Sequence, residues 1–358
     1  MAGQHPLPRK RHEHILRELE LRGSVSAAEA AEQLGVSQVT VRRDIVELER
    51  AGKLARVHGG AIGVGAPAIP QPAKTNVGVV VPGSVSHYPQ IVKGMEAASH
   101  SARTRVILAT SQYREELEQR QVERLVEVGV AGVIFAPTMR DRTEEELAAW
   151  LSSIPVPVVF LERRLESTAL ARFDSARTDH ERGADFAVEH LANLGHRAVG
   201  LAAFDRTPTA PLVRVGHGAA VARLALANAP TISLPKGGEG DGDPLDDALT
   251  RFLDACLDSG TTAALVHTDV HAARLIELAS DRGIRVPDDL AVIAVDDDTA
   301  RMAMVPLTSV TAPGRDLGRE AMRILTERIA TPDLTSAAAR HITMLPHLTV
   351  RASCGARA

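Results

Sequence analysis

NVGVVVPGSVSHYPQIVKGMEAASHSARTRVILAT, residues 76–110, carries the pattern from which the fold class can be read. NVGVVVP from Asn76 and TRVILAT from Thr104 are apolar runs of strand length, and YPQIVKGMEAAS from Tyr88 is a helical stretch between them. Hydrophobicity that is continuous rather than alternating predicts strands covered on both faces. Further runs of this kind are VAGVIFAP from Val130, VPVVFLE from Val156, RAVGLAA from Arg197, AALVHT from Ala263 and LAVIAVD from Leu290. Helical segments lie between them, including REELEQRQVERLVEVG from Arg114 and TEEELAAW from Thr143, where Thr143 and Glu146 have capping-box spacing. Strand and helix in alternation predict an α/β body with parallel sheets, long enough to divide into two lobes.

Outside this body, composition mainly excludes. The 358 residues are 44% hydrophobic and 24% charged, which fits neither a disordered chain nor a fibrous repeat. No apolar run approaches the ~18 residues of a membrane span. MAGQHPLPRKRHEH at the N-terminus has basic residues with no apolar stretch behind them, so a cytoplasmic protein is expected. Cys256 and Cys354 stand far apart, which argues against a disulfide framework or a cysteine-ligated zinc site. The loop KGGEGDGDP from Lys236 lacks the closing Glu of an EF-hand and reads as solvated surface. Residues 1–60 carry a net +2 and the remainder −6, a modest hint that the head meets nucleic acid.

The head reads as three short helices and a turn. Ile15, Leu16 and Leu19 form a stripe that Gly23 ends. Ser26 and Glu29 have capping-box spacing at the start of a second helix, which buries Ala27, Ala30, Ala31 and Leu34. After Gly35, Ser37 is placed to cap a third helix with Val41, Ile45 and Leu48 inward. Gln38, Thr40, Arg42 and Arg43 lie on its other side, residue types that reach base edges and phosphates from the first turns of a recognition helix. Arg43 and Asp44 alone would read as a surface ion pair. KLARVHGGA adds strand character around Lys53, Arg56 and His58, a wing against the DNA backbone. AIGVGAPAIPQPAKT, residues 61–75, is a Gly/Pro-rich linker. The domains expected are therefore 1–60, a linker 61–75 and a body 76–358.

GSVSAAEAAEQLGVSQVTVRRDIVELERAGKLARVHGGA, residues 23–61, resembles the winged helix-turn-helix head of the DeoR family, which joins a VS-x-x-T-x-RRD-x-x-x-LE helix to an RVHGGA wing. The resemblance implies binding to a double-stranded DNA operator.

Ligands in open α/β sheets sit beyond the carboxyl ends of the strands. The residues found there are Ser84, Ser86, His87 and Tyr88, then Ser111 and Gln112, Thr138 and Arg140, Glu162 and Arg163, Asp205 and Arg206, Thr268 and Asp269, and Asp296. Such hydroxyl, carboxylate and guanidinium groups suit a polyhydroxylated small-molecule effector. VGVVVPGSVSHYPQIVKGMEAA, VPVVFLERRLE, VEHLANLGHRAVGL, VPDDLAVIAVDDD, PLTSVTAPGRDLGREAMRIL and LTVRAS together resemble the effector domain of LacI-family regulators, itself similar to periplasmic sugar-binding proteins. That resemblance implies two lobes, about 76–173 with 310–335 and 175–305 with 340–352, joined by three crossover strands, a cleft for a sugar-like effector, and a homodimer. It places Tyr88 as a ligand-stacking aromatic and Glu162–Arg163 where the family has Asp-Arg. Asp269 follows Thr268 in place of an Asn, and Asp296 faces the cleft. The family's cleft arginine falls on Val213, with Arg214 one position out of register.

Plainer roles exist for several of these residues. Asp269 can cap a helix, Asp296 to Asp298 can be a solvated acid cluster, and Glu162 with Arg163 can be an inter-lobe ion pair. HTDVH, residues 267–271, offers His267, Asp269 and His271 as metal ligands only if the strand runs on, since a helix starting at Asp269 separates them. No nucleophile elbow, Walker loop or dinucleotide fingerprint is present. The expectation is a ligand-responsive transcriptional regulator, a repressor without catalytic machinery, cofactor, metal or membrane partner. Alternatives are a solute-binding protein of a transport system and a regulator answering a non-sugar ligand or a protein. The linker has no helical stripe, so the hinge-helix mechanism of LacI relatives is not expected to transfer.

Overall fold

The computed structural model describes residues 7–57, 59–63, 74–83, 87–237, 243–331 and 338–356. They fall into two compact units, which divide between Ala73 and Lys74.

The head unit runs α1 (Pro8–Arg22), β1 (Ser24–Ser26), α2 (Ala27–Leu34), α3 (Gln38–Arg50), β2 (Leu54–Val57) and β3 (Gly60–Gly63). Ile15, Leu19, Ala30, Val41, Ile45, Leu48 and Leu54 form its core, whereas Leu34 is only half-buried. Ser37 caps α3, its Oγ accepting from the Thr40 backbone N–H at 3.2 Å. Ser26 makes no such bond at α2, contrary to the capping-box spacing. It belongs to β1, which pairs antiparallel with β3 in a β1-β3-β2 sheet, and this pairing sets the geometry at the helix start. The strand also corrects the linker: Ala61 to Gly63 lie in β3, with Ala61 fully buried. Thr75 already opens the next strand, and residues 64–73 lie outside those described.

The first lobe of the body contains β4 (Thr75–Val81), α4 (Tyr88–Ser101), β5 (Thr104–Thr110), α5 (Glu115–Glu127), β6 (Val133–Phe135), α6 (Glu144–Leu151), β7 (Val158–Leu161) and β8 (Asp174–Thr178). The second contains α7 (His180–Asn193), β9 (Gly200–Ala203), α8 (Ala210–Arg223), β10 (Thr231–Ser233), α9 (Pro244–Asp258), β11 (Ala263–His267), α10 (Asp269–Asp281), β12 (Ala291–Val295) and β13 (Thr308–Thr311). The chain then returns through α11 (Gly314–Ala330) and β14 (His341–Met344) before β15 (His347–Thr349). Among the described residues the sheets run β14-β8-β7-β6-β4-β5 and β10-β9-β11-β12-β13-β15. The first is parallel throughout, and β15 alone is antiparallel in the second.

This topology explains the continuous apolar runs. Val79 packs into the core under α4 and α11, while its neighbour Val80 packs under α5 and α6. Leu265 faces α7 and α8, and Val266 faces α9 and α10. The capping box expected at Thr143 forms in full.

Strand pairing places the crossovers differently from the expected lobe boundaries. Residues 174–178 and 341–344 lie in the first sheet, and Thr308 to Thr311 lie in the second. Asp174 supplies the reason: its buried carboxylate accepts from Arg328 Nη2 of α11 at 2.9 Å and from the Arg340 backbone at 2.7 Å. One anion therefore ties β8, α11 and the start of β14 into one lobe.

In that lobe α4 and α11 meet backbone to backbone. A Cβ added at Gly318 would stand 1.9 Å from the Ile91 carbonyl oxygen, and one at Gly94 would stand 2.1 Å from that of Arg315. Gly318→Ala is expected to cost about 1–3 kcal/mol in urea denaturation, because neither helix axis can yield without unpacking the core. Gly218→Ala, at a helical site with nothing within 4 Å, is expected to be neutral or stabilising by up to about 1 kcal/mol.

Candidate functional site

On the head, α3 presents Gln38, Arg42 and Arg43 to solvent, with Thr40 half-buried beside the cap. Thr40 Oγ1 lies 2.9 Å from Ser37 Oγ. Asp44 is not the partner of Arg43. It is buried and held by Arg11 of α1, with Nε to Oδ2 at 2.7 Å and Nη2 to Oδ1 at 2.9 Å. Arg43 instead lies 3.5 Å from exposed Glu47, a weak surface pairing that leaves the guanidinium accessible. The RRD run therefore divides, its acid anchoring α1 and its two arginines facing outward. Arg42 and Arg56 line one groove of about 530 Å3 between α3 and the wing. Lys53 is exposed, and the Arg56 backbone donates to Glu49 at 3.2 Å. His58 lies outside the described residues.

In the body, the ends of β4, β6, β7, β9 and β12 bring polar groups from both lobes together. One cavity of about 380 Å3 is lined by Tyr113, Thr138, Met139, Arg140 and Arg163 of the first lobe and by Asp205 to Pro208 of the second. A second hollow of about 340 Å3 is bordered by His87, Gln90, Asp296 to Asp298, Thr311 to Asp316 and His347. Glu162 lies between these strand ends, accepting from the Thr178 backbone at 2.9 Å and from Thr178 Oγ1 at 2.7 Å. Its Oε1 is 3.0 Å from His87 Nε2, and its Oε2 is 3.6 Å from His180 Nε2. His87 also faces the second lobe: its backbone N–H donates to Asp298 at 2.6 Å, and its Nδ1 is 3.7 Å from Asp296. His87, Glu162 and Asp296 all have left-handed backbone, at φ 60°, 53° and 74°. Non-glycine residues tolerate that region only where surrounding contacts enforce it.

The charges here are set by competition. Burial opposes protonation of His87, but the Glu162 and Asp296 carboxylates outweigh it and hold the imidazole well above 6.5. Burial likewise raises the Glu162 carboxyl, and His87 and His180 bring it well below the ordinary carboxylate range. Asp296 is lowered in the same way, His87 overcoming the cost of burial.

Several sequence-level candidates lie elsewhere. Tyr88 is buried in the α4 core, its hydroxyl accepting from Arg163 at 3.3 Å, and Tyr113 is the aromatic residue that lines the cavity. Arg163 does not pair with the Glu162 carboxylate. It donates to the Pro137 and Glu162 carbonyls at 2.7 and 2.8 Å. Arg214 is engaged by Asp205 at 2.8 Å and Ser233 at 2.9 Å, and does not line the cavity; Val213 is buried in the core. Thr268 caps α10 together with His271. Asp269 is buried, accepting from the Thr299 backbone at 2.6 Å and its hydroxyl at 3.0 Å, so it positions the loop after Asp296. Because α10 begins at Asp269, His267 turns instead to Thr209 at 3.0 Å, and the metal reading of HTDVH fails. Ser84 and Ser86 lie outside the described residues. Ser111 and Thr138 are buried, and neither hydroxyl has a hydrogen-bond partner among the described residues. His180 was not anticipated; its one signal is a polar side chain opening the helix directly after a crossover strand.

Residues 11–64 match the profile of the DeoR-like helix-turn-helix domain, and residues 188–354 that of the periplasmic binding protein-like domain. Catabolite control protein A of Priestia megaterium is 31% identical over 76% of this chain and 79% of its own length. The chain belongs to the LacI family of transcriptional regulators. The arabinose metabolism transcriptional repressor of Geobacillus stearothermophilus is 27% identical over 84% of this chain and 83% of its own. The solved transcriptional regulator CelR in complex with cellobiose superposes with a TM-score of 0.65 at 23% identity, over 88% of this chain and 90% of that one. A dimeric Lac repressor gives a TM-score of 0.62 at 22% identity, over 78% and 98%. These two show the shared fold. As a member of the LacI family the chain is an effector-controlled DNA-binding regulator and not an enzyme. The solute-binding alternative gives way to the combination of this body with a DNA-binding head. Among the described residues no helix is long and apolar enough to cross a membrane.

Burial pushes His267 down to about 4 and His271 to about 4 as well. The unfolded chain protonates both near 6.5 while the folded body refuses the proton, so stability is complete above that pH and falls as pH drops toward 4. The fully buried His267 alone is expected to account for ~3 kcal/mol of that loss. Thermal midpoints between pH 7 and 4 check this, and His267→Gln is expected to flatten the profile.

Proposed function

We propose that this LacI-family regulator is a cytoplasmic homodimeric repressor that binds a double-stranded DNA operator through its heads and a sugar or related polyol between the lobes of its body. In this reading Gln38, Thr40, Arg42 and Arg43 of the Ser37-capped α3 enter the major groove, and Lys53, Arg56 and His58 of the wing meet the phosphates. Exposure of both arginines, with Asp44 withdrawn into the head, supports that assignment.

The observation that carries the effector reading is the inter-lobe cavity into which Thr138, Arg140 and Arg163 of one lobe and Asp205 and Thr207 of the other all open. Carboxylate, guanidinium and hydroxyl groups around one hollow match the alternating donors and acceptors of a polyol. Thr138 and Arg163 line the inter-lobe cavity. Tyr113 lines it as well, and Asp296 borders the neighbouring hollow. The cellobiose complex of a regulator with this fold supports the same ligand class. Effector binding changes the balance of body conformations and hence operator affinity, with a coupling of about 1–3 kcal/mol. The buried Val213 and helix-capping Thr268 favour a second reading, in which the ligand is not a common sugar.

A thermal-shift panel of neutral sugars, sugar phosphates, nucleosides and polyols tests the effector. A ligand at ~100 times its Kd adds about 2.7 kcal/mol, and the shift is expected with one class and lost in Asp296→Ala. No shift across the panel overturns the sugar reading. On duplex DNA selected for binding, Arg42→Ala or Arg43→Ala is expected to weaken affinity by more than about 1 kcal/mol, roughly fivefold. Unchanged affinity in both removes α3 from the groove, and equal affinity with and without saturating effector removes the coupling.

A further inference from the structure

We propose that His87, Glu162 and His180 form a binding site for a divalent transition-metal cation of the zinc class, bridging the two lobes of the body. This goes beyond the effector reading and does not rest on it. The ligand atoms of the three residues all lie within 4.8 Å of one another. His87 Nε2 to Glu162 Oε1 is 3.0 Å, and His180 Nε2 to Glu162 Oε2 is 3.6 Å. Donors about 2.0–2.1 Å from one tetrahedral metal stand about 3.3 Å apart, so small side-chain rotations bring these onto a single ion.

The second, independent observation is His180 itself. It is only 5% exposed, and its Nε2, 3.6 Å from Glu162 Oε2, has no hydrogen-bond partner among the described residues. A buried ring nitrogen in that state is costly unless something is bound to it. The surroundings resemble an outer coordination shell, whose role is to orient ligands. Thr178 fixes the Glu162 carboxylate through its backbone and hydroxyl, and Asp296 stands 3.7 Å from the far nitrogen of His87. Two imidazoles with one carboxylate suit zinc and its first-row neighbours and leave a coordination position open. Calcium and magnesium require mainly oxygen donors.

His87 and Glu162 belong to the first lobe, while His180 opens α7, which packs in the second. A cation held by all three therefore fastens the lobes together. The other compact cluster among the described residues, His12, Asp44 and Glu47 in the head, is less suited. Arg11 engages both Asp44 oxygens there and brings a positive charge beside any cation.

Metal-free full-length protein, with no sugar present, is titrated with Co2+ and followed by visible absorption, then challenged with Zn2+. The expected result is one Co2+ per chain, displaced by Zn2+. Binding is expected to weaken about tenfold or more in both His87→Gln and His180→Gln, and to persist in His12→Gln. Where a body variant fails to fold, paramagnetic shifts of the His87 and His180 ring protons in the wild-type protein decide the matter. The proposal is overturned by absence of Co2+ and Zn2+ binding to folded wild type, by binding that survives both body substitutions, by loss in His12→Gln, or by unshifted ring protons. A sugar effect that is intact in metal-free protein leaves the effector reading standing whatever the metal result.

Discussion

Glu162 directly follows β7 in left-handed backbone and accepts two hydrogen bonds from Thr178, the last residue of β8. The carboxylate that closes the first lobe is thus fastened to the point from which the chain leaves for the second. A buried carboxylate is tolerated only when it is paired and its lone pairs are used, and here the Thr178 donors and the His87 ring meet that demand. His87 carries the same junction onward, since its backbone and ring face Asp298 and Asp296 at the end of β12. The polar groups of the cleft therefore form one charged network between two apolar lobes, and what changes the spacing of the lobes must change that network.

The lobes themselves rely on a different device. Each sheet is covered on both faces, so successive strand residues feed opposite cores and leave little freedom for the strands to shift register. The chain crosses between the two sheets after Thr178, after Thr311 and after Met344. The hollow bordered by Asp296 to Asp298 and Thr311 to Asp316 lies at one of those crossings.

In the head, a buried ion pair does comparable work on a smaller core. Arg11 and Asp44 bind α1 to α3, and removing either partner leaves a charge in a poor environment. Because Asp44 turns inward, Arg42 and Arg43, which precede it in sequence, turn outward on the same helix. Helical periodicity alone then converts one structural ion pair into an exposed pair of guanidinium groups beside the wing.

Local pattern was enough for much of this protein. Continuous apolar runs separated by helical stripes specify a parallel α/β body, because period and burial are properties of consecutive residues. Ser37 and the capping box at Thr143 were legible for the same reason, and so was the motif of the DNA-binding head. What depended on distant residues was not legible. β8 escaped notice because Asp174, Ser175 and Thr178 are polar, and they are buried only because β7, β14 and Arg328 meet them. Tyr88 and Asp269 sit at the expected strand ends but are drawn into core and loop contacts that no spacing reveals. His180 joins His87 and Glu162 only because the chain crosses between sheets immediately before it, a juxtaposition set by long-range strand pairing and side-chain packing.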